Sequence, residues 1–150
     1  MTKIILTNDD GVFSPGLHAL AVALDKAGYE IIVDPIYENG RIAVMVSGPA
    51  SARSGGGAGV GTLDNGVEFE IQQYIIPDAP HIKAWGIDGP PAFCVLTAML
   101  GTFGEPPELV ISGSNDGANC GRGILHSGTI GAAMIAQNFG ISAIAVSYTH

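Results

Sequence analysis

Short apolar runs alternate along this chain with segments whose apolar residues recur at helical spacing. Residues 3–6 open with Lys3 and continue as Ile4, Ile5 and Leu6, a β-type run that stops at the polar cluster Thr7-Asn8-Asp9-Asp10. After Gly11, Ser14-Pro15 has the form of an N-cap followed by the first helical residue. Leu17, Leu20, Ala21 and Leu24 then fall on one helical face before Gly28 closes the segment. Two apolar runs follow, 29–33 and 42–47, separated by the turn signals Asp34-Pro35 and Asn39-Gly40, and either is a candidate second strand.

The Gly/Ser-rich stretch 47–61 predicts a loop, 67–76 alternates as a strand does, and 81–87 is a candidate to pair with it. Gly89-Pro90-Pro91 begins a helix expected to reach Leu100, with Phe93, Leu96 and Leu100 on one face and Val95 and Met99 beside them. The segment 109–112 reads as a fully buried strand and 113–125 as a loop. Ser127-Gly128-Thr129 opens a helix to about Phe139, and 141–147 is a last apolar strand. Strands alternating with helices predict an α/β fold, a three-layer α/β/α sandwich around a Rossmann-like, mainly parallel sheet. No repeat or linker divides the 150 residues, and the chain reads as one domain.

Composition narrows the class of function. Hydrophobic residues make up 47% and charged residues 13%, which argues against disorder, and no apolar run reaches the length of a membrane span. A net charge of −8 with six Lys and Arg argues against a nucleic-acid polymer as partner. An anionic small substrate then needs a local source of positive charge, which a metal ion supplies. No export signal opens the chain. Cys94 and Cys120 read as a buried thiol and a loop thiol in a reducing compartment, so the expected location is the cytoplasm.

In an open parallel sheet, functional residues gather beyond the carboxyl ends of the strands. Three clusters stand there: Asn8-Asp9-Asp10-Gly11, the glycine loop containing Ser54, and Asn115-Asp116-Gly117-Ala118-Asn119. Oxygen donors with two carboxylates suit a hard cation such as Mg²⁺ or Mn²⁺. The same Asp9-Asp10-Gly11 also suits a plain turn. The glycine loop lacks the Lys of a GxxxxGK[ST] cradle and reads by itself as a connection. Ser127-Gly128-Thr129 serves equally as a cap or as a phosphate cradle. Of the four histidines only His126 is placed to touch a substrate; His18, His81 and His150 read as packing or surface residues.

Four blocks in order resemble the SurE family of survival-protein nucleotidases. They are Thr7-Asn8-Asp9-Asp10-Gly11 with Pro15-Gly16; Gly48-Pro49 with Ser54-Gly55; Ser112-Gly113-Ser114-Asn115-Asp116-Gly117-Ala118-Asn119; and Ser127-Gly128-Thr129-Ile130-Gly131-Ala132-Ala133-Met134. The resemblance implies a 5'-nucleotidase or acid-phosphatase type of hydrolase acting on nucleoside 5'- and, as a second option, 3'-monophosphates. It implies one divalent cation, Mg²⁺ or Mn²⁺, on Asp9, Asp10, Ser54 and Asn115. Asp9, Asp10 and Asn115 are then the catalytic set, and Asn119, Ser127, Gly128 and Thr129 hold the phosphate. His126 is a guess for the group that protonates the leaving oxygen. The Pro49 register makes 42–47 the second core strand and 29–40 an insertion.

Phe93, Asp116 and Arg122-Gly123 depart from the family pattern, and the chain stops at His150 where the family continues. An apolar edge left there predicts a homo-oligomer. Two alternatives stand beside the metal phosphatase: a catalytically silent nucleotide-binding or assembly module, and a phosphatase that uses an aspartate as covalent nucleophile.

Overall fold

The computed structural model describes residues 3–28, 45–49, 55–60 and 68–149. Among the described residues six strands form one sheet: β1 (Ile4–Thr7), β2 (Met45–Pro49), β3 (Ile71–Tyr74), β4 (Ala84–Ile87), β5 (Leu109–Asp116) and β6 (Ser142–Tyr148). Their spatial order is β3-β4-β2-β1-β5-β6, and every neighbouring pair is parallel except β3 with β4. The chain first builds outward from β1 through β2 and later returns to place β5 on the other side of β1. The carboxyl ends of β1 and β5 therefore flank the point where strand order reverses, the usual ligand crevice of a doubly wound sheet.

Helix α1 (Pro15–Lys26) starts where the sequence predicts. Ser14 is the N-cap, its Oγ accepting from the Leu17 N–H at 3.4 Å, and Pro15 occupies the first turn. Leu17 and Ala21 are buried with Ile4, Leu6 and Ile111, while Leu20 and Leu24 pack at the margin of that cluster. On the opposite face α2 (Pro91–Met99) and α3 (Gly128–Asn138) cover Ile5 and Val110 through Val95, Ala98, Met99, Ala132 and Ala136. One helix below and two above make the three layers. Among the described residues, no helix is long and apolar enough to cross a membrane.

Helix α2 is apolar almost all round because the sheet, α3 and a third small cluster enclose it. Phe93, one of the departures from the family pattern, is a core residue here. Its ring meets Phe69 edge-to-face at 4.8 Å, and a Cβ on Gly89 would stand 2.5 Å from Phe93 Cδ1.

Several boundaries differ from the sequence reading. The second strand is described over Met45–Pro49, two residues beyond the expected end at 47, with 42–44 outside the described residues; of 67–76, the described part contributes Ile71–Tyr74. The segment 29–33 lies outside the described residues. Leu100 is the C-cap of α2 and is 70% exposed, not a member of its buried face. The buried strand 109–112 continues to Asp116, and the expected loop 113–125 ends in a 3₁₀ helix, Gly121–His126. Polar residues inside a strand broke the apolar pattern on which the boundary rested. Cys94 is buried, Cys120 is exposed, and neither forms a disulfide.

Candidate metal and phosphate site

The site is built on the last residues of β1. Side chains alternate across a strand, so Ile5 faces the α2–α3 layer, Leu6 faces α1 and Thr7 returns to the α2–α3 side; Asp9, two residues past the strand, lies against the start of α3. Asp9 is 4% exposed, and its Oδ1 accepts from Thr129 Oγ1 at 2.9 Å. That bond ties the end of β1 to the first turn of α3. A Cβ on Gly128 would lie 2.8 Å from Asp9 Cβ and 3.2 Å from Asp9 Oδ2, so the absence of a side chain there is what lets α3 approach the carboxylate.

Asp10 faces the end of β5 and accepts from the Asp116 N–H through Oδ2 at 3.4 Å. Burial pushes its carboxyl above the ordinary value of 3.8, the Asp116 N–H pulls it down, and the charges of Asp9 and Asp116 push it up again. Three aspartates thus crowd one edge of an acidic chain.

Asn115 reaches this edge through an irregularity in β5. Ser112 pairs with Ala145 but Asn115 pairs with Ser147, three steps on β5 against two on β6. A regular strand would turn Asn115 to the α1 face, opposite to Ser112; the extra residue returns it to the α2–α3 side, where Asp9 stands. Gly113 adopts φ +139°, and a Cβ on it would meet Val146 O at 2.3 Å, so glycine is required where the strand is displaced. Asn115 is 8% exposed, with Nδ2 donating to Gly117 O at 3.2 Å and to Ser147 Oγ at 3.3 Å. Asn119 donates to the same Ser147 Oγ at 2.9 Å.

Ser127 is the N-cap of α3, its Oγ accepting from the Ile130 N–H at 3.2 Å. Ser54 lies outside the described residues, but the loop just after it is seated on α3. The Gly57 N–H donates to His126 O at 3.1 Å, and a Cβ on Gly131 would fall 1.9 Å from Gly57 O. His126 ends the 3₁₀ helix with an exposed side chain. Among the other histidines, His18 Nε2 is 2.8 Å from Val12 O and His81 is 2.9 Å from Asp25 Oδ1; both have structural partners away from Asp9 and Asp10.

Does this cluster suit a divalent cation? The donors are carboxylate, amide and hydroxyl oxygens, the set a hard cation prefers. Thr7 Oγ1, Asn8 Oδ1 and Ser112 Oγ are buried at the same strand ends with no hydrogen-bond partner, as expected where a ligand or its water completes a polar site. Among the described residues no three His, Cys, Asp or Glu side chains are grouped so as to hold a metal ion by themselves, and a set with two carboxylates completed by amide and hydroxyl oxygens does not need a third. The residues present fit the group.

Two residues of this edge escape a sequence reading. Ser147 touches both asparagines, and the only signal for it is that β6 also ends at the carboxyl edge. Asp116 shows as a departure from the family pattern, but nothing in the sequence says that its backbone meets Asp10.

Among the described residues, a six-stranded sheet with helices on both faces and acidic and amide side chains gathered at its switch point defines the class: a doubly wound α/β protein with a polar crevice at the carboxyl edge of its sheet. The family model described as survival protein SurE matches residues 4–150, and the chain belongs to the SurE family. It is 41% identical to the 5'-nucleotidase SurE of Nostoc sp. over 147 residues, which cover 98% of this chain and 49% of that relative. The 5'-nucleotidase SurE of Heliobacterium modesticaldum is 37% identical over 147 residues, covering 98% of this chain and 47% of the relative. The crystal structure of the SurE protein from Aquifex aeolicus superimposes with a TM-score of 0.72 at 32% identity, covering 99% of this chain and 51% of that one. The chain spans about half the length of the relatives it matches.

Proposed function

We propose that this chain supplies the active centre of a divalent-metal-dependent phosphomonoesterase that hydrolyses nucleoside 5'-monophosphates, and 3'-monophosphates as second substrates, to nucleoside and phosphate. The observation that carries the reading is the buried Asp9 beside Asp10 at the switch point, set against the first turn of α3. The relatives from Nostoc sp. and Heliobacterium modesticaldum, both 5'-nucleotidases, support the same reaction.

Asp9, Asp10, Asn115 and Ser54 would hold one Mg²⁺ or Mn²⁺. Such a cation supplies positive charge against the phosphate and acidifies water. The Thr129 hydroxyl holds Asp9 in one orientation. The first-turn N–H groups of Gly128 and Thr129, at the positive end of α3, favour an anion beside Asp9. With the Ser127 hydroxyl committed to capping, its share in phosphate binding falls to backbone and position. Asn119 is half-buried near the end of β6 and completes the phosphate side. His126 is our candidate to protonate the leaving oxygen.

Phosphate release from nucleoside monophosphates should disappear with EDTA and return with Mn²⁺ or Mg²⁺, with Zn²⁺ the poorer replacement. Full turnover after exhaustive chelation would overturn the reading.

We read the functional unit as a homo-oligomer, without nucleic acid or membrane as partner. Among the described residues β6 lies at one edge of the sheet, and Ile144 and Tyr148 on it are 50% and 43% exposed. Light scattering should give a mass above that of one chain, or show aggregation; a stable monomer at high concentration would contradict this. Cys94 and Cys120, neither in a disulfide, suit a reducing compartment such as the cytoplasm.

A further inference from the structure

We infer that Ser147 is a positioning residue that turns the amide nitrogens of Asn115 and Asn119 toward the β6 edge, so that Asn115 offers a cation its oxygen and not its NH₂. This rests on the reading of Asn115 as a cation ligand. The argument begins at one backbone carbonyl. Gly117 O can only accept, and the Gly117 N–H is itself bonded to Tyr148 O at 3.1 Å, which holds this turn against β6. The Ser147 hydroxyl donates its single hydrogen to Gly117 O. Having no second hydrogen, Ser147 Oγ can only accept from its two other neighbours.

Those neighbours are Asn115 at 3.3 Å and Asn119 at 2.9 Å. An amide oxygen placed against Ser147 Oγ would set two acceptors face to face, so each asparagine must present Nδ2. Asn115 is fixed a second time, because its Nδ2 also donates to Gly117 O at 3.2 Å. Two bonds to one NH₂ group leave Oδ1 directed away from β6. A flipped Asn115 would face a cation with two N–H donors and would lose both bonds.

The extra residue in β5 is what makes the contact possible, since it brings Asn115 opposite Ser147; a regular ladder would bring Ser114 there. The edge strand therefore serves the site through one hydroxyl, although it carries no expected ligand. Partners that orient a metal ligand commonly matter to binding as much as tenfold or more.

The test is Mn²⁺ binding to the full chain, followed by calorimetry and by the metal-induced rise in melting temperature. Ser147→Ala should raise the Mn²⁺ dissociation constant by roughly tenfold while leaving the metal-free melting temperature near that of the unaltered protein. Ser147→Thr keeps the hydroxyl and should bind Mn²⁺ within about twofold of the unaltered protein, less than the change expected for loss of an orienting partner. Asn115→Ala serves as the reference and should bind at least as weakly as Ser147→Ala. If Asn115→Ala binds Mn²⁺ normally, Asn115 is no ligand and the underlying reading falls, taking this inference with it. If Asn115→Ala loses binding while Ser147→Ala does not, the ligand stands and the role given to Ser147 is overturned. A threonine variant as weak as the alanine one would likewise overturn it.

Discussion

Asp9→Asn should reduce phosphate release by orders of magnitude, abolish the rise in melting temperature on adding Mn²⁺, and leave the metal-free fold intact. Asparagine keeps the shape of the side chain, its turn-forming ability and an oxygen that can still accept from Thr129, so a residue with only a structural part to play would tolerate the change. The charge alone is removed, and that is what a cation requires. Asp10→Asn should show the same functional loss with one addition. Burial and the neighbouring aspartates hold the Asp10 carboxyl above 3.8, so the folded chain retains that proton to higher pH than the unfolded chain does. Metal-free stability therefore falls as pH rises from the ordinary value through the raised one, and Asp10→Asn should remove that decline. Above this interval the variant should melt no lower than the unaltered protein. Phosphate assays run beside melts with and without Mn²⁺ decide it; near-normal turnover in both variants would remove the proposed site.

Gly131→Ala should weaken both the fold and turnover, and it acts at a different place. A methyl group at this helical position would overlap the Gly57 carbonyl, with Gly57 O at 1.9 Å, Gly57 C at 2.2 Å and Ala58 N at 2.6 Å. Backbone atoms cannot rotate away as the end of a flexible side chain can, so the loop must lift from α3. Within the helix itself alanine is the better residue, by about 0.5–1 kcal/mol. A clash with backbone at this range outweighs that gain, and the melting temperature should fall. Turnover should fall as well, because Ser54, an expected ligand, stands three residues before Gly57 in the sequence, and a displacement of about 1 Å in an active site can cost about a hundredfold. Normal turnover in Gly131→Ala would mean that the loop's seat on α3 is unnecessary for the chemistry.

How much of this was legible in the sequence differs from element to element. Helix α1 was readable because its signals are local: a capping Ser14, Pro15 in the first turn, apolar residues at helical spacing and a closing Gly28. The family blocks gave the candidate residues, and the alternation of strands and helices gave the parallel sheet with its carboxyl edge. The course of β5 beyond Ser112 was hidden, since Gly113, Ser114, Asn115 and Asp116 look like loop and pair as strand only because β6 lies alongside. Leu100 misled for a related reason: helical spacing places it on the buried face, but the helix ends one residue earlier. The contact between Gly131 and Gly57 leaves no trace in the pattern of either segment, because it depends on the space that missing side chains leave.

The central position of β1 also sets an order of events. Its partners are Met45–Pro49 on one side and Leu109–Asp116 on the other, and the bond from Thr129 to Asp9 joins residues 120 apart in the chain. During synthesis both aspartates emerge long before the helix that will face them, and until the crossover through α2 has closed they are ordinary hydrated carboxylates. Contacts so distant in sequence form slowly, because the chain entropy lost in closing a long loop must be overcome first. A cation that binds only the assembled edge arrives after that barrier has been crossed. It then acts as a brake on unfolding and does nothing to hasten folding.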